Sequence, residues 1–111
     1  MSRLATEFWV HAYLARLRLA GIPAFVTAHG DDTAGAVLVK LNTLDGRARV
    51  FQRSYDPVAQ SRRWTILADG EEVQVDAAVA RQRDFDPDLW VLEVEDRHGR
   101  HLLDEPGLDG D

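Results

Sequence analysis

Cysteine is absent from this chain of 111 residues, and its absence excludes several kinds of chemistry. Without cysteine, the protein cannot form a disulfide, and it has no thiolate ligand for an iron–sulfur cluster or for zinc. It also lacks a cysteine nucleophile. A chain with no cysteine suits a reducing compartment, and we therefore expect this protein in the cytoplasm.

Long hydrophobic runs are also missing. A membrane-spanning helix needs about 20 consecutive apolar residues, and no stretch of the sequence has such a composition. The apolar residues that follow Met1 are interrupted by Glu7, His11 and Arg16, so no secretory signal is predicted. We expect neither a targeting segment nor a contact with a membrane.

The residues that are present are typical of one folded domain. Hydrophobic residues make up 45% of the chain and charged residues 29%, a balance that supports a core and excludes extensive disorder. We predict a single domain over residues 1–105. Residues 106–111, which include Pro106, Gly107 and Gly110, are predicted to form a flexible acidic tail.

The formal net charge is −6, and the charges are unevenly distributed. Residues 1–63 carry nine basic and five acidic side chains, whereas residues 64–111 carry four basic and fourteen acidic ones. Lys40 is the sole lysine, and the other twelve cations are arginines. An acidic protein is a poor candidate for indiscriminate binding to nucleic acid. We expect the two oppositely charged parts to attract each other within the fold.

Hydrophobic patterning predicts an α+β fold with the order helix-strand-strand-strand-strand-helix-strand. The predicted helices cover residues 6–20 and residues 69–86, and the predicted strands cover residues 24–29, 36–42, 47–53, 63–68 and 88–96. Asp69 is predicted to cap the second helix. Short connections favour a mainly antiparallel sheet of about five strands, with the first four in a meander and both helices on one face. The place of the fifth strand is left open.

The first helix has apolar residues over most of its circumference. One stripe holds Leu4, Phe8, Ala12, Ala15 and Leu19, and a second stripe is centred on Trp9, Tyr13 and Leu17. If the sheet covers the first stripe, the second is left in water, where a second copy of the chain would bury it. We predict a homodimer through Trp9, Tyr13 and Leu17. The alternative is that Trp9 and Tyr13 pack within one copy, under the loop over residues 54–61 or against the fifth strand.

A second candidate surface is basic. Alternation places Arg47, Arg49, Phe51 and Arg53 on one face of the third strand, and Arg62 and Arg63 begin the next strand. Arginine forks suit phosphates and carboxylates, and an aromatic ring can stack on a base. The alternative interpretation is an ordinary polar sheet face with no ligand.

Motifs for metal binding or catalysis are weak. Asp84, Asp86 and Asp88 have the spacing of the first ligands of a calcium loop, but Leu89 stands where that loop needs glycine. His98 and His101 lie around a turn, and two imidazoles do not make a metal site. No serine lies in a Gly-x-Ser-x-Gly motif. We predict no catalytic residue, no metal and no cofactor.

Several segments together resemble a bacterial family known as the domain of unknown function family 1491. They are residues 6–10 (TEFWV), residues 35–39 (GAVLV), the Asp45-Gly46 turn, residues 85–91 (FDPDLWV) and residues 93–96 (EVED). The resemblance implies a small stand-alone domain with no established activity. The sequence departs from the family at residues 51–60, where the family often has a Tyr-Gly-Pro-Ala-Pro-Gln-like stretch.

These observations favour a non-enzymatic protein-interaction module that associates with itself or with another protein. The alternative is a protein that binds an anionic ligand, such as RNA, a nucleotide or another phosphate, through the arginine face. Trp90 lies within an apolar run, so we predict that it is buried and structural.

Overall fold

Two helices and five strands form the part of the chain that the computed structural model describes, residues 5–109 without the side chains of residues 55 and 56. The elements are α1 (Thr6–Leu19), β1 (Ala24–Ala28), β2 (Val37–Asn42), β3 (Arg47–Asp56), β4 (Ser61–Glu71), α2 (Glu72–Phe85) and β5 (Trp90–Glu95). The predicted α+β fold and element order are confirmed. No helix among the described residues is long and apolar enough to cross a membrane.

The sheet has the strand order β1-β5-β2-β3-β4. Strands β2, β3 and β4 form the expected antiparallel meander, but β5 lies between β1 and β2, so the meander does not extend to β1. β5 pairs antiparallel with β1 and parallel with β2. Trp90, Val91 and Leu92 are all buried, as is typical of an interior strand, whereas the three middle residues of β1 are exposed, as is typical of an edge.

The helices pack on opposite faces of the sheet, which corrects the expectation that both lie on one face. α1 shares a core with Val39 and Leu92, whereas Val75 of α2 shares a second core with Leu38 and Val50. Successive residues of β2 point to opposite faces, and both Leu38 and Val39 are apolar. Each face therefore needs its own cover.

The β3–β4 hairpin is longer than predicted, because β3 continues to Asp56 and β4 begins at Ser61. Asp69, the predicted helix cap, lies within β4 opposite Arg49, and its carboxylate accepts a hydrogen bond from that guanidinium at 3.1 Å. α2 instead begins at Glu72 without a side-chain cap. Pairing with β3 thus extends β4 through Asp69 and Glu71, which the capping pattern had assigned to the start of the helix.

The C-terminal segment packs against the sheet. Leu103 and Leu108 belong to the α1-side core, and the Trp64 indole N–H donates a hydrogen bond to the Leu108 carbonyl at 2.9 Å. Tyr13 donates its hydroxyl hydrogen to the His101 carbonyl at 2.7 Å. The prediction of a flexible tail over residues 106–111 therefore fails at Leu108, which covers apolar surface; residues 110 and 111 lie outside the described residues.

Trp90 is 1% exposed, so its predicted burial is confirmed. Its indole N–H donates to the Asp31 carbonyl at 2.8 Å, which holds the loop between β1 and β2 over the start of β5. Gly30 lets this loop approach, because a Cβ there would lie 2.2 Å from the Asp88 carbonyl oxygen.

Candidate functional site

The structure divides the predicted arginine face into three parts. Arg47 pairs with Glu71 at one end of the β3–β4 hairpin, and Arg62 pairs with Tyr55 at the other. These two positions are eight residues apart along β3, which corresponds to roughly 27 Å of extended strand. Arg62 and Arg63 therefore do not share a site with Arg47.

The middle of the face is packed within the fold. Phe51 is 7% exposed, and its ring lies against the His101 imidazole with 4.6 Å between centroids. The expectation that Phe51 is free to stack on a base is therefore wrong. Phe51 points from β3 toward α1 and the C-terminal segment, whose apolar side chains pack against it.

Arg53 lies over the rings of Trp9 and Trp64. Its guanidinium carbon is 5.2 Å from each ring centroid, and the two rings are 5.4 Å apart. Such distances are within the range of cation–π attraction. Arg53 thus helps to join β3, β4 and α1.

Arg47 and Arg49 line a cleft of about 290 Å³ at the end of the sheet where β2 turns into β3. The opposite wall is the turn that follows β5 and carries Arg97 and His98. Asp45 and Asp69 also line the cleft, and Leu41 and Ala48 supply apolar surface. The cleft thus has three guanidinium groups and two carboxylates around a small apolar area.

The charges in the cleft are unequally paired. Arg49 donates to Asp69 at 3.1 Å. The pKa of Asp45 is held below its usual value by a hydrogen bond from the Thr43 hydroxyl and by the backbone N–H of Arg47. Among the charged groups of residues 5–109, neither Arg47 nor Arg97 takes part in an ion pair. Two guanidinium groups are therefore available to an anion.

Sequence reasoning missed Arg97 and considered His98 only as a weak metal ligand. They lie about fifty residues from Arg47, and the parallel pairing of Asn42 with Glu95 brings the two turns together. The Asp96 N–H then donates to the Asn42 carbonyl at 3.1 Å. A local sequence pattern cannot indicate a parallel pairing between strands so far apart in the chain. The sequence therefore offers no direct signal that Arg97 and His98 belong to the cleft.

Besides the cleft, one buried charged side chain stands out: Lys40, which lies between β2 and α2. Its ammonium lies 2.7 Å from Glu72, 2.7 Å from Asp76 and 3.3 Å from Glu93. Burial lowers the pKa of Lys40, but hydrogen bonds to Asp76 and Glu72 and the charge of Glu93 outweigh burial, so the pKa lies above its ordinary value. The ammonium is therefore held as a cation, which suits a clamp between α2 and the sheet and not a nucleophile.

Trp9, Tyr13 and Leu17, the predicted dimer residues, are buried inside one copy of the chain, at 7%, 0% and 0% exposure. They share a core with Trp90, Leu92 and Val94, so packing against the fifth strand is the correct alternative. The other apolar stripe of α1 is the exposed one over Phe8 to Leu19, and its first member, Leu4, lies outside the described residues. Phe8 is 62% exposed and Leu19 is 81% exposed, while Ala12 is half-buried and Ala15 is exposed.

Neither weak metal motif forms a cluster. Asp86 accepts a hydrogen bond from the backbone of Asp88, which is a turn contact. His101 accepts one from the Leu103 N–H at 3.0 Å, and His98 faces the cleft. Within residues 5–109, no three His, Cys, Asp or Glu side chains are placed to hold a metal ion.

The described residues define a small α+β protein with an arginine-lined cleft at one end of its sheet. The chain belongs to the DUF1491 family, whose model carries the description "protein of unknown function" and matches residues 4–104. The resemblance seen in the sequence is thereby confirmed. A comparison with curated proteins found no match.

Solved structures of similar proteins share the fold. The crystal structure of a DUF1491 family protein from Caulobacter crescentus CB15 is 42% identical, covers 94% of this chain and 98% of its own, and has a TM-score of 0.85. An NMR structure of a DUF1491 family protein from the same organism is 41% identical over 96% and 97%, with a TM-score of 0.81. The solution structure of protein Atu0922 from A. tumefaciens is 32% identical over 85% and 86%, with a TM-score of 0.71.

Proposed function

We propose that this protein is a non-enzymatic, cytoplasmic interaction module that forms a homodimer through the outer face of α1. The observation that carries the proposal is the exposed stripe of Phe8, Ala12, Ala15 and Leu19. Phe8 and Leu19 are 62% and 81% exposed. They lie eleven residues apart, about three helical turns, and therefore on the same side of the helix.

The stripe differs from the other exposed apolar side chains on helices. Val73 and Phe85 of α2 are 80% and 88% exposed, but twelve residues separate them, and they point about 120° apart around the helix axis. Isolated apolar residues of this kind are common on protein surfaces. A continuous stripe on one face more often marks a contact with a partner.

The stripe is complementary to itself when two copies of α1 run antiparallel. A two-fold axis between Tyr13 and Leu14 brings Phe8 opposite Leu19 of the second copy and Ala12 opposite Ala15 of the second copy. The alanines at the centre allow the helix axes to approach to the short end of the usual range of about 8–10 Å. Two large side chains then close the contact at each end, which is an isologous arrangement.

The flanking charges favour the same orientation. Glu7 lies near the start of α1, and Arg18 lies near its end. Their positions differ by only about 20° around the helix. In the antiparallel pair, each Glu7 comes near Arg18 of the second copy, whereas a parallel pair would leave these two residues at opposite ends of the contact. Charge thus supports a second copy as the occupant and specifies its direction.

The proposal is tested by light scattering coupled to size exclusion over a wide range of protein concentrations. We expect a dimer mass for the wild type and a monomer mass for Phe8→Glu with Leu19→Glu. The matched control is Val73→Glu with Phe85→Glu, which places the same charges on α2 and leaves the dimer intact. A wild-type monomer mass at every concentration would show that the homodimer is wrong.

A charge exchange tests the orientation. Glu7→Arg alone and Arg18→Glu alone are expected to weaken association by roughly 2- to 10-fold, the scale of exposed ion pairs. The two changes together restore it, because each new arginine again faces a glutamate. Failure of the double variant to recover would contradict the antiparallel arrangement.

A further inference from the structure

We infer that the cleft between the β2–β3 turn and the turn after β5 binds the phosphate group of a small organic phosphate monoester through Arg47 and Arg97. Neither residue lies on the outer face of α1, so this inference is independent of the proposed dimer. Failure of one leaves the other standing.

Within the described residues, the charges of the two arginines are not paired, apart from a weak attraction between Arg47 and Asp45 that helps to lower the pKa of that carboxyl. Both are exposed, and in the described part of the chain neither forms an ion pair. They reach the cleft from opposite walls, Arg47 from β3 and Arg97 from the turn after β5. A phosphate monoester has three terminal oxygens and up to two negative charges. Two guanidinium forks can bind such a group, whereas a carboxylate has oxygens enough for one fork.

The β3 wall is fixed before any ligand arrives. The Asp45 carboxylate accepts hydrogen bonds from the Thr43 hydroxyl at 2.6 Å and from the Arg47 N–H at 3.1 Å. The Asn42 side-chain oxygen accepts one from the Leu44 N–H at 2.8 Å and so holds Leu44 at a φ of 62°. This strained conformation persists because its surroundings determine it.

The opposite wall is fixed by Asp96. Its carboxylate accepts hydrogen bonds from the Arg100 backbone at 2.7 Å and from two nitrogens of the Arg100 guanidinium at 3.1 and 3.0 Å. The Gly99 N–H donates to the Asp96 carbonyl at 3.1 Å. The residues between, Arg97 and His98, are therefore presented by a closed turn. A rigid site loses less entropy when it binds a ligand.

The size and charge of the cleft indicate a compact ligand. Its volume of about 290 Å³ is near the lower end of known small-molecule sites, about 300 Å³, and it leaves room for an organic group beside the phosphate. Leu41 and Ala48 provide apolar contacts for that group. Asp45 and Asp69 at the same cleft and the net charge of −6 oppose a long polyanion such as RNA.

The test is titration of the full chain, followed by NMR of its backbone amides and by calorimetry. The probes are ribose 5-phosphate, ribose, inorganic phosphate, succinate and a short single-stranded RNA. We expect ribose 5-phosphate to bind and to shift the amides of Arg47, Arg97 and Gly99, with no effect of ribose. Binding should weaken at high salt, because the contact is ionic.

Variants locate the site. Arg47→Gln and Arg97→Gln are each expected to weaken binding of ribose 5-phosphate by roughly 10- to 100-fold, since each removes charged hydrogen bonds. Arg81→Gln removes an exposed arginine of α2 outside the cleft, and it is expected to leave binding unchanged. Retained dispersion of the amide spectrum shows that each variant is folded.

Four results would overturn the inference. The first is no binding of ribose 5-phosphate, or amide shifts confined to residues outside the cleft. The second is equally tight binding of succinate, which would show no preference for phosphate over carboxylate, and the third is equally tight binding of inorganic phosphate, which would show that the organic group makes no contribution. The fourth is tighter binding of RNA, which would make the cleft part of a larger nucleic-acid surface.

Discussion

His101 connects several side chains at the centre of the α1-side face. Its ring contacts Phe51, its carbonyl accepts the Tyr13 hydroxyl hydrogen, and its Nδ1 accepts the Leu103 N–H. Burial lowers the pKa of His101 below 6.5, and the charge of Arg49 lowers it further, against the opposing charge of Asp104. Since Nδ1 is an acceptor, protonation would also break the bond from Leu103.

The sign of the resulting pH dependence is definite. A depressed pKa means that the folded state binds the proton less readily than the unfolded state, so the contribution to stability is complete above about pH 6.5 and is lost as the pH falls below it. We expect urea unfolding to show a larger loss of stability between pH 7.5 and pH 5.5 for the wild type than for His101→Gln. His11→Gln, at an exposed site on α1, should behave as the wild type does. Equal pH dependence of all three proteins would contradict this role.

Lys40 gives a second prediction at the scale of a residue. Lys40→Met should destabilise the protein by about 3 kcal/mol, because removing one partner of a buried ion pair leaves uncompensated charge. Adding Glu72→Gln and Glu93→Gln should restore most of that loss, since the carboxylates no longer repel one another. Urea unfolding at neutral pH measures both effects. The pKa of Lys40 is raised from 10.5, so its contribution is present below that pH and is lost only as the pH rises beyond it.

At the scale of elements, the two stripes of α1 show why amphipathic patterning is ambiguous. The sequence contains two apolar stripes of similar width, and either could face the sheet. Trp9, Tyr13 and Leu17 form the buried one because their larger surface meets apolar partners on β5 and the C-terminal segment, and because Tyr13 finds an acceptor at His101. Periodicity correctly predicted the helix and its two stripes but could not choose between them.

The C-terminal segment acts as an additional element that has no regular secondary structure. Leu108→Ala is expected to destabilise the protein by about 2 kcal/mol, the lower end for a buried leucine, since it removes apolar contacts next to Trp64. Val73→Ala, at a site 80% exposed, should change stability by less than about 0.5 kcal/mol. Urea unfolding compares the two. Equal small effects would support the solvated tail that composition predicted.

At the scale of the whole molecule, the dimer and the fold should be linked. If association buries the outer face of α1, the folded state gains stability with protein concentration. We expect the Tm of the wild type to rise with concentration and the Tm of Phe8→Glu with Leu19→Glu to stay constant. Differential scanning calorimetry at several concentrations measures this, with Val73→Glu and Phe85→Glu as the control pair. A concentration-independent Tm for the wild type would count against the dimer.

By itself, the sequence determined the order and approximate bounds of the helices and strands, the burial of Trp90 and membership of the family. Each depends on local patterning: Gly21 and Pro23 end α1, Pro87 ends α2, and alternating apolar residues mark the strands.

Tertiary structure alone decided where β5 lies, which stripe of α1 is buried and which arginines share a site. β5 can pair in parallel with β2 only through contacts about fifty residues apart in the chain, and these contacts place Arg97 and Arg47 on the same cleft. The local secondary-structure propensity of these residues does not indicate which strands pair. The pairing is selected by the burial of two apolar sheet faces at once, and that burial is a property of the whole fold.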